Sequence, residues 1–196
     1  MKTLIIACGA LAREIRAISA QLPTHELRCV PAMLHNRPDQ IVPAIEAILD
    51  ETDGQYGRTV LAFGDCGTGG GLDRLCDARG LERLPGAHCY AFFAGSTEFD
   101  AMMDEELGTF FLTDFLARQF DAMVMRPLGL DRKPELRDLY FGHYKRLVFL
   151  SQMDDAALLM KAKVAADALG LAFEHRPTGL NPFAYEMTRL AAPVAA

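Results

Sequence analysis

Three cysteines and a histidine occupy comparable positions, each at or shortly after the end of a stretch that is typical of a buried strand. They are Cys8, Cys66 and the adjacent pair His88 and Cys89. Because ligands of parallel sheets bind at the carboxyl ends of the strands, we expect these side chains to converge. Three thiolates and one imidazole are an established ligand set for tetrahedral Zn²⁺. The sequence therefore predicts a zinc site with Cys8, Cys66, Cys89 and His88 as ligands.

The same residue types leave other chemistry open. Three thiols alone would keep a coordination position free for a small thiol substrate, or would hold an iron–sulfur cluster as an alternative cofactor. The chain has no CxxC pair, so a simple packing role also stays open, because cysteine is among the most buried residue types. That packing role is our interpretation of Cys29, inside a predicted strand, and Cys76, inside a predicted helix.

Two histidines and three glycines complete the candidate site. His88 is a metal ligand, a general acid or base, or a residue that orients a ligand, and His35, which also follows a strand, is the second catalytic candidate. Gly9, Gly64 and Gly67 flank the cysteines, and glycine lets the backbone approach a cofactor closely. The three remaining histidines are assigned to the surface or to packing: His25, His143 and His175.

The glycine-rich segment GDCGTGGGLD (64–73) follows a predicted strand and precedes a predicted helix. Backbone N–H groups in such a position can bind a phosphate. The segment contains no lysine and matches neither the P-loop nor the dinucleotide-binding pattern. We therefore rank nucleotide binding low, and a small anion, carboxylate or thiolate held near Cys66 is the better interpretation.

Alternation of strand-like and helix-like stretches predicts one α/β domain over residues 1–196. The predicted architecture is a three-layer, mainly parallel sheet with helices on both faces and a more helical second half. Strands are predicted at 3–7, 26–33, 59–63, 81–85 and 171–175. Helices are predicted at 10–22, 38–51, 72–79, 114–125, 135–153, 154–169 and 181–190.

Composition narrows the class of protein. The chain has 196 residues, of which 51% are hydrophobic, so it can bury a sizeable core. Its net charge of -6 argues against nucleic acid and against an anionic membrane surface as partners. The apolar N-terminal run is interrupted by Arg13 and Glu14, which predicts a buried strand in a cytoplasmic protein and not a signal peptide. In that compartment five cysteines indicate thiols, metal ligands or redox chemistry.

A family resemblance is visible in four segments taken in order: ACGALAREI, GDCGTGGGL, PGAHCYAFFAGS and GTFFLTDF. Together they resemble the domain-of-unknown-function family numbered sixteen-thirty-eight over most of the chain. Archaeal members carry motifs similar to YGLCGNG and RAHDC, followed by a GTYW-like segment. Cys8, Cys66 and His88 match directly, whereas Cys89 directly follows the histidine here and one residue separates the two in the archaeal pattern.

The resemblance implies a metabolic setting rather than a reaction. Family members are often encoded beside corrinoid proteins and methyltransferases of the trimethylamine type. It therefore implies an accessory or catalytic component of corrinoid-linked methyl transfer, with a corrinoid protein or a methyltransferase as partner. The chain lacks a DxHxxG-type cobalamin motif, so we expect it to bind no corrinoid itself. A redox-thiol protein and a non-catalytic scaffold with buried structural cysteines are the two alternatives.

Overall fold

The computed structural model describes residues 2–192, and the chain divides into two compact units. The first unit comprises 2–92 together with 181–192, and the second comprises 93–180. The prediction of an α/β fold is confirmed, since parallel strands and helices build both units. The strands lie in two sheets and not in one. Whether the two units fold as the single predicted domain stays a prediction.

The elements follow one another in this order along the chain. The strands are β1 (Thr3–Cys8), β2 (His25–Val30), β3 (Arg58–Ala62), β4 (Glu82–Arg83), β5 (Thr109–Thr113), β6 (Arg146–Ser151) and β7 (Ala172–Pro177). The helices are α1 (Ala12–Ala17), α2 (Ile41–Glu51), α3 (Gly71–Arg79), α4 (Cys89–Ala94), α5 (Ser96–Glu105), α6 (Asp114–Phe120), α7 (Arg137–Phe141), α8 (Ala156–Leu169) and α9 (Asn181–Ala191). None of these helices is long and apolar enough to cross a membrane, over the residues that are described.

The first unit contains a four-stranded parallel sheet in the order β2-β1-β3-β4. All six residues of β1 are buried, as expected for an interior strand with both faces covered. Ile5 and Val60, paired across β1 and β3, have no exposed surface. Since β1 and β3 are parallel neighbours, the residues that follow them lie at the same edge of the sheet. That edge carries the cysteines predicted to be functional.

The second unit contains a three-stranded parallel sheet in the order β5-β6-β7. Its central strand β6 is buried from Leu147 to Ser151. Leu112 of β5 and Phe149 of β6 belong to one apolar cluster with the inner face of α8. The loop from Gln152 to Asp155 then joins β6 to α8, whose N-terminus is capped by the Asp155 carboxylate.

One predicted element of this second unit is wrong, and one strand is missing from the prediction. The predicted helix over 135–153 is replaced by a short helix, α7, and by strand β6, while β5 was not predicted at all. The segment RLVFLS of β6 is apolar without alternation, because both of its faces are buried. Such a run has no periodicity that separates a strand from a buried helix. Its type is decided by pairing with β5 and β7, which are distant in sequence.

Candidate functional site

A cavity in the first unit collects most of the predicted site residues, and we call it the thiol pocket. Its volume is about 240 Å³. It is lined by His35, Pro38, Cys66, Gly67, His88, Cys89 and Tyr90. The structure therefore brings together two of the three predicted thiols and both candidate histidines, although they come from three distant parts of the chain.

Cys8 lies beside this pocket as the last residue of β1. Its Sγ accepts a hydrogen bond from the Ala10 N–H at 3.3 Å and lies 3.8 Å from His35 Nδ1. Only 4% of the residue is exposed. Burial raises the pKa of the Cys8 thiol to about 12, even though the Ala10 N–H acts in the opposite direction. Cys8 is consequently a neutral thiol at physiological pH in the absence of a nearby cation.

His35 occupies a short 3₁₀ turn, Ala32–Asn36, that follows β2. Its Nδ1 lies 3.0 Å from the Ala32 carbonyl oxygen, which only accepts hydrogen bonds, so Nδ1 carries the proton. This leaves Nε2 as the nitrogen able to take a proton or a metal ion. Burial lowers the pKa of His35, and the charge of His88 lowers it further. A neutral imidazole with its second nitrogen fixed by a carbonyl is typical of metal-binding histidines.

Cys66 belongs to the loop that follows β3. Its backbone has φ 51°, and no other residue of 2–192 apart from glycine has a positive φ. The Cys66 N–H donates to the Ala87 carbonyl at 3.0 Å, which ties this loop to the segment that carries His88. Burial raises the pKa of the Cys66 thiol to about 11. A residue held in this costly backbone conformation is consistent with a functional role.

Cys89 is the first residue of α4 and is half-buried. Burial raises the pKa of Cys89, and the neighbouring Cys66 and Cys8 raise it further. Those electrostatic contributions mean that the three thiols influence one another. His88 is exposed at the mouth of the pocket, with its ring centroid 6.0 Å from that of Tyr90. The predicted convergence of the strand ends is therefore present.

The three candidate glycines have packing reasons of their own. A Cβ at Gly64 would lie 3.1 Å from the Ala87 carbonyl oxygen, and a Cβ at Gly9 would lie 3.1 Å from the Val30 carbonyl oxygen. Gly67 has φ +79°, which L-residues rarely adopt. Close backbone approach at Gly64 and Gly9 and a positive φ at Gly67 therefore account for these glycines without a ligand, and their cofactor-binding role stays a prediction.

The glycine-rich loop is filled by one of its own side chains. The Asp65 carboxylate accepts the N–H groups of Gly70 at 2.8 Å and Gly69 at 3.2 Å, as well as the Thr68 hydroxyl at 2.8 Å. Partial burial acts to raise the pKa of Asp65, but these hydrogen bonds lower it below its usual value. The Asp65 carboxylate therefore accepts the N–H groups that a bound phosphate would need. This geometry agrees with the low rank of nucleotide binding in the sequence analysis.

Sequence reasoning missed one acidic residue at this edge. Glu14, on α1, is 1% exposed, and its charge raises the pKa of both Cys8 and Cys89. A glutamate that lies near two thiols adds a further oxygen donor to the set of possible ligands. The only sequence signal was its position six residues after Cys8, which by itself indicates nothing about burial.

The metal-binding geometry itself is not formed. Across residues 2–192, no group of three or more histidine, cysteine, aspartate or glutamate side chains is arranged to hold a metal ion. All five cysteines are free thiols. The site is thus a collection of possible donors around a cavity, and the predicted ligand roles of Cys8, Cys66, Cys89 and His88 stay predictions.

The two cysteines assigned to packing differ from each other. Cys76, on the inner side of α3, is buried, and its packing role is confirmed. Cys29 is exposed, and the prediction that it fills a core position is wrong. It lies in β2, an outer strand of the four-stranded sheet whose residues are mostly only half-buried.

Comparison with protein-family models gives a match over most of the chain. The model of a family described as a protein of unknown function, DUF1638, matches residues 29–185. That range includes His35, Cys66, His88 and Cys89, and begins after Cys8. No curated protein and no solved structure matches the chain.

Proposed function

The chain belongs to the DUF1638 family, and we propose that it binds a soft divalent metal, zinc in the first place, in the thiol pocket. The observation that carries this proposal is the donor set. Cys66, Cys89 and His88 line one cavity, and Cys8 adjoins it through its contact with His35. Thiolate and imidazole are the ligands that zinc prefers over harder cations.

Electrostatics favours a cation as the ligand of this pocket. Among the described residues that line the pocket there is no lysine or arginine, and burial raises the pKa of Cys8, Cys66 and Cys89. A buried neutral thiol is a poor nucleophile. A metal ion reverses this, because a coordinating thiol is deprotonated. The residues present therefore fit a divalent cation better than a redox disulfide or an unassisted nucleophile.

Each side chain has a role in this proposal. Cys8, Cys66 and Cys89 would bind as thiolates, and His88 or His35 would supply a nitrogen through Nε2. A zinc ion held in this way would activate a thiol or a water molecule bound at an open position. A small thiol is the ligand class that suits such a position, and a carboxylate is the alternative. The link to corrinoid-dependent methyl transfer rests on the family resemblance alone.

The test is elemental analysis of protein purified without oxygen. We compare wild type with Cys66→Ser and Cys89→Ser, and use Cys29→Ser as the matched control because Cys29 is exposed and does not line the pocket. We expect about one zinc per chain in wild type and in the control, and a loss of zinc in both pocket variants. Circular dichroism verifies that every variant is folded.

A second readout counts the thiols that bind. The pKa values of about 12 for Cys8 and about 11 for Cys66 mean that these thiols release their protons when a metal binds at neutral pH. Addition of zinc to metal-free protein in weak buffer should therefore release about three protons per ion if all three thiols coordinate. Iron with sulfide in place of zinc would favour the redox alternative. No metal in any sample would overturn the proposal and leave the scaffold alternative.

A further inference from the structure

The second unit has a cavity of its own at the carboxyl end of β6, and we call it the serine pocket. Its volume is about 300 Å³. It is bounded by the end of β6, by the loop that leads into α8 and by the end of β7. This position matches that of ligand sites in other parallel sheets.

A serine and a histidine meet in this cavity. Ser151 Oγ lies 2.9 Å from His175 Nε2, and Ser151 is 6% exposed. Because one ring nitrogen accepts a hydrogen bond when the other carries the proton, this contact allows the hydroxyl to donate to Nε2. A serine hydroxyl within hydrogen-bond distance of a histidine is the arrangement that activates a nucleophilic serine.

Neighbouring groups hold both side chains in place. The His175 ring stacks on Phe149 with centroids 5.5 Å apart and an interplanar angle of 19°. The Ser151 carbonyl accepts hydrogen bonds from the N–H groups of Thr178 and Gly179 and from the Thr178 hydroxyl. These contacts fix the end of β6 and the plane of the imidazole. Such positioning is what a reactive pair requires.

Residues with free backbone donors also line the cavity. The N–H groups of Gln152 and Met153 are held by the Asp114 carboxylate at 3.2 and 3.0 Å. The next three residues, 154–156, line the cavity, and over residues 2–192 none of their N–H groups has an acceptor. Unoccupied N–H groups beside a serine can stabilise the oxyanion of a tetrahedral intermediate.

The lining indicates the class of compound that fits. Phe149, Met153 and Leu159 provide an apolar surface, while Asp154 and Asp155 place two carboxylates at the start of α8. An anionic compound would be repelled by these carboxylates. A small acyl compound that is uncharged or cationic suits both the volume and the charge.

We propose that Ser151 and His175 form a nucleophile–base pair that hydrolyses small uncharged or cationic esters. Ser151 Oγ attacks the carbonyl carbon while its proton moves to His175 Nε2. The bond to the alcohol then breaks, and the leaving oxygen takes the proton from Nε2. Water attacks the acyl-serine with His175 again as the base, which releases the carboxylic acid and restores the serine. This step uses only water and does not depend on the thiol pocket.

The test uses a fluorophosphonate reagent, which phosphonylates activated serines and expels fluoride, with the modified residue located by mass spectrometry. Full-length wild type is compared with Ser151→Ala and His175→Ala, with Ser96→Ala as control because Ser96 is exposed and outside the cavity. We expect labelling at Ser151 in wild type and in the control, none at that position in Ser151→Ala, and labelling about 100-fold slower in His175→Ala.

Two readouts separate base catalysis from a structural role. The rate of labelling should depend on pH in wild type, and that dependence should be absent in His175→Ala. Circular dichroism shows whether each variant is folded, and hydrolysis of p-nitrophenyl acetate provides a second measure of activity. Absence of labelling at Ser151 in folded wild type would overturn the proposal. Equal labelling rates in wild type and His175→Ala would do the same.

Discussion

The two units place reactive side chains at equivalent positions of their parallel sheets but surround them differently. In the first unit β1 ends at Cys8, and burial raises the pKa of this thiol and of Cys66. In the second unit β6 ends at Ser151, which has His175 as a hydrogen-bonded partner. Among the described residues no lysine or arginine lines the first site, whereas the second has a base for its hydroxyl. The neighbours of a strand end, and not its position alone, thus determine its chemistry.

The loops behind the two strand ends are held by carboxylates in opposite environments. Asp65 accepts hydrogen bonds from N–H groups of its own loop and remains partly exposed. These hydrogen bonds lower the pKa of Asp65. Asp114 comes from the neighbouring strand end and is 0% exposed. Burial raises the pKa of Asp114 even though it accepts two N–H groups. The loop of the serine pocket therefore depends on a buried, long-range contact, while the loop of the thiol pocket is supported locally.

The largest effects are expected in the two cores. Ile5→Ala in β1 and Phe149→Ala in β6 remove side chains that are 0% and 1% exposed. Each should lower the free energy of unfolding by about 2–5 kcal/mol, because a cavity remains where the side chain was. The predicted single domain requires both substitutions to shift one shared transition, measured by calorimetry.

Leu139→Ala is the control for this comparison, since that side chain is 73% exposed. Its substitution should change the free energy of unfolding by less than about 0.5 kcal/mol. Two separate transitions, one shifted by Ile5→Ala and the other by Phe149→Ala, would contradict the single domain. The two units would then be two domains that unfold independently.

Substitution of the two carboxylates is expected to give a smaller difference in the free energy of unfolding. Asp114→Ala leaves the N–H groups of Gln152 and Met153 without their acceptor in a buried position, and should lower the free energy of unfolding by about 2–4 kcal/mol. Asp65→Ala exposes to water the N–H groups that donate to this carboxylate, and should lower the free energy of unfolding by about 1 kcal/mol. Urea unfolding of both variants measures the difference. An equal loss of stability in the two variants would mean that the burial of Asp114 has no energetic consequence.

The first site could be predicted from sequence to a greater extent than the second. Cys8 and Cys66 stand out because glycines and apolar runs mark the strand ends before them. The pair Ser151 and His175 could not be predicted, because β6 has the same apolar composition as a buried helix. Glu14 was missed for a related reason. Its burial depends on packing between distant segments, which the pattern around a single residue does not contain.

The last effect that we predict concerns the pH dependence of stability. The folded pKa values of Cys8 and Cys66, about 12 and about 11, lie above the usual thiol value of about 8.5. The metal-free folded protein therefore keeps protons that the unfolded chain releases. Its stability should be constant below the unfolded pKa and fall as pH rises towards 11, by up to about 1.4 kcal/mol per pH unit for each thiol.

Comparison of chelator-treated and zinc-loaded protein makes this a test of the thiol pocket. Thiolates bound to zinc have already lost their protons, so the alkaline loss of stability from these groups should be absent in the loaded protein. Cys66→Ser should reduce the slope of stability against pH in the metal-free protein. Ser151→Ala should leave this slope unchanged, because a serine hydroxyl does not titrate in this range. Equal pH slopes of stability in wild type and Cys66→Ser would show that burial does not hold the proton on this thiol. The contrast between a site that needs a cation and one that has its own base would then fail.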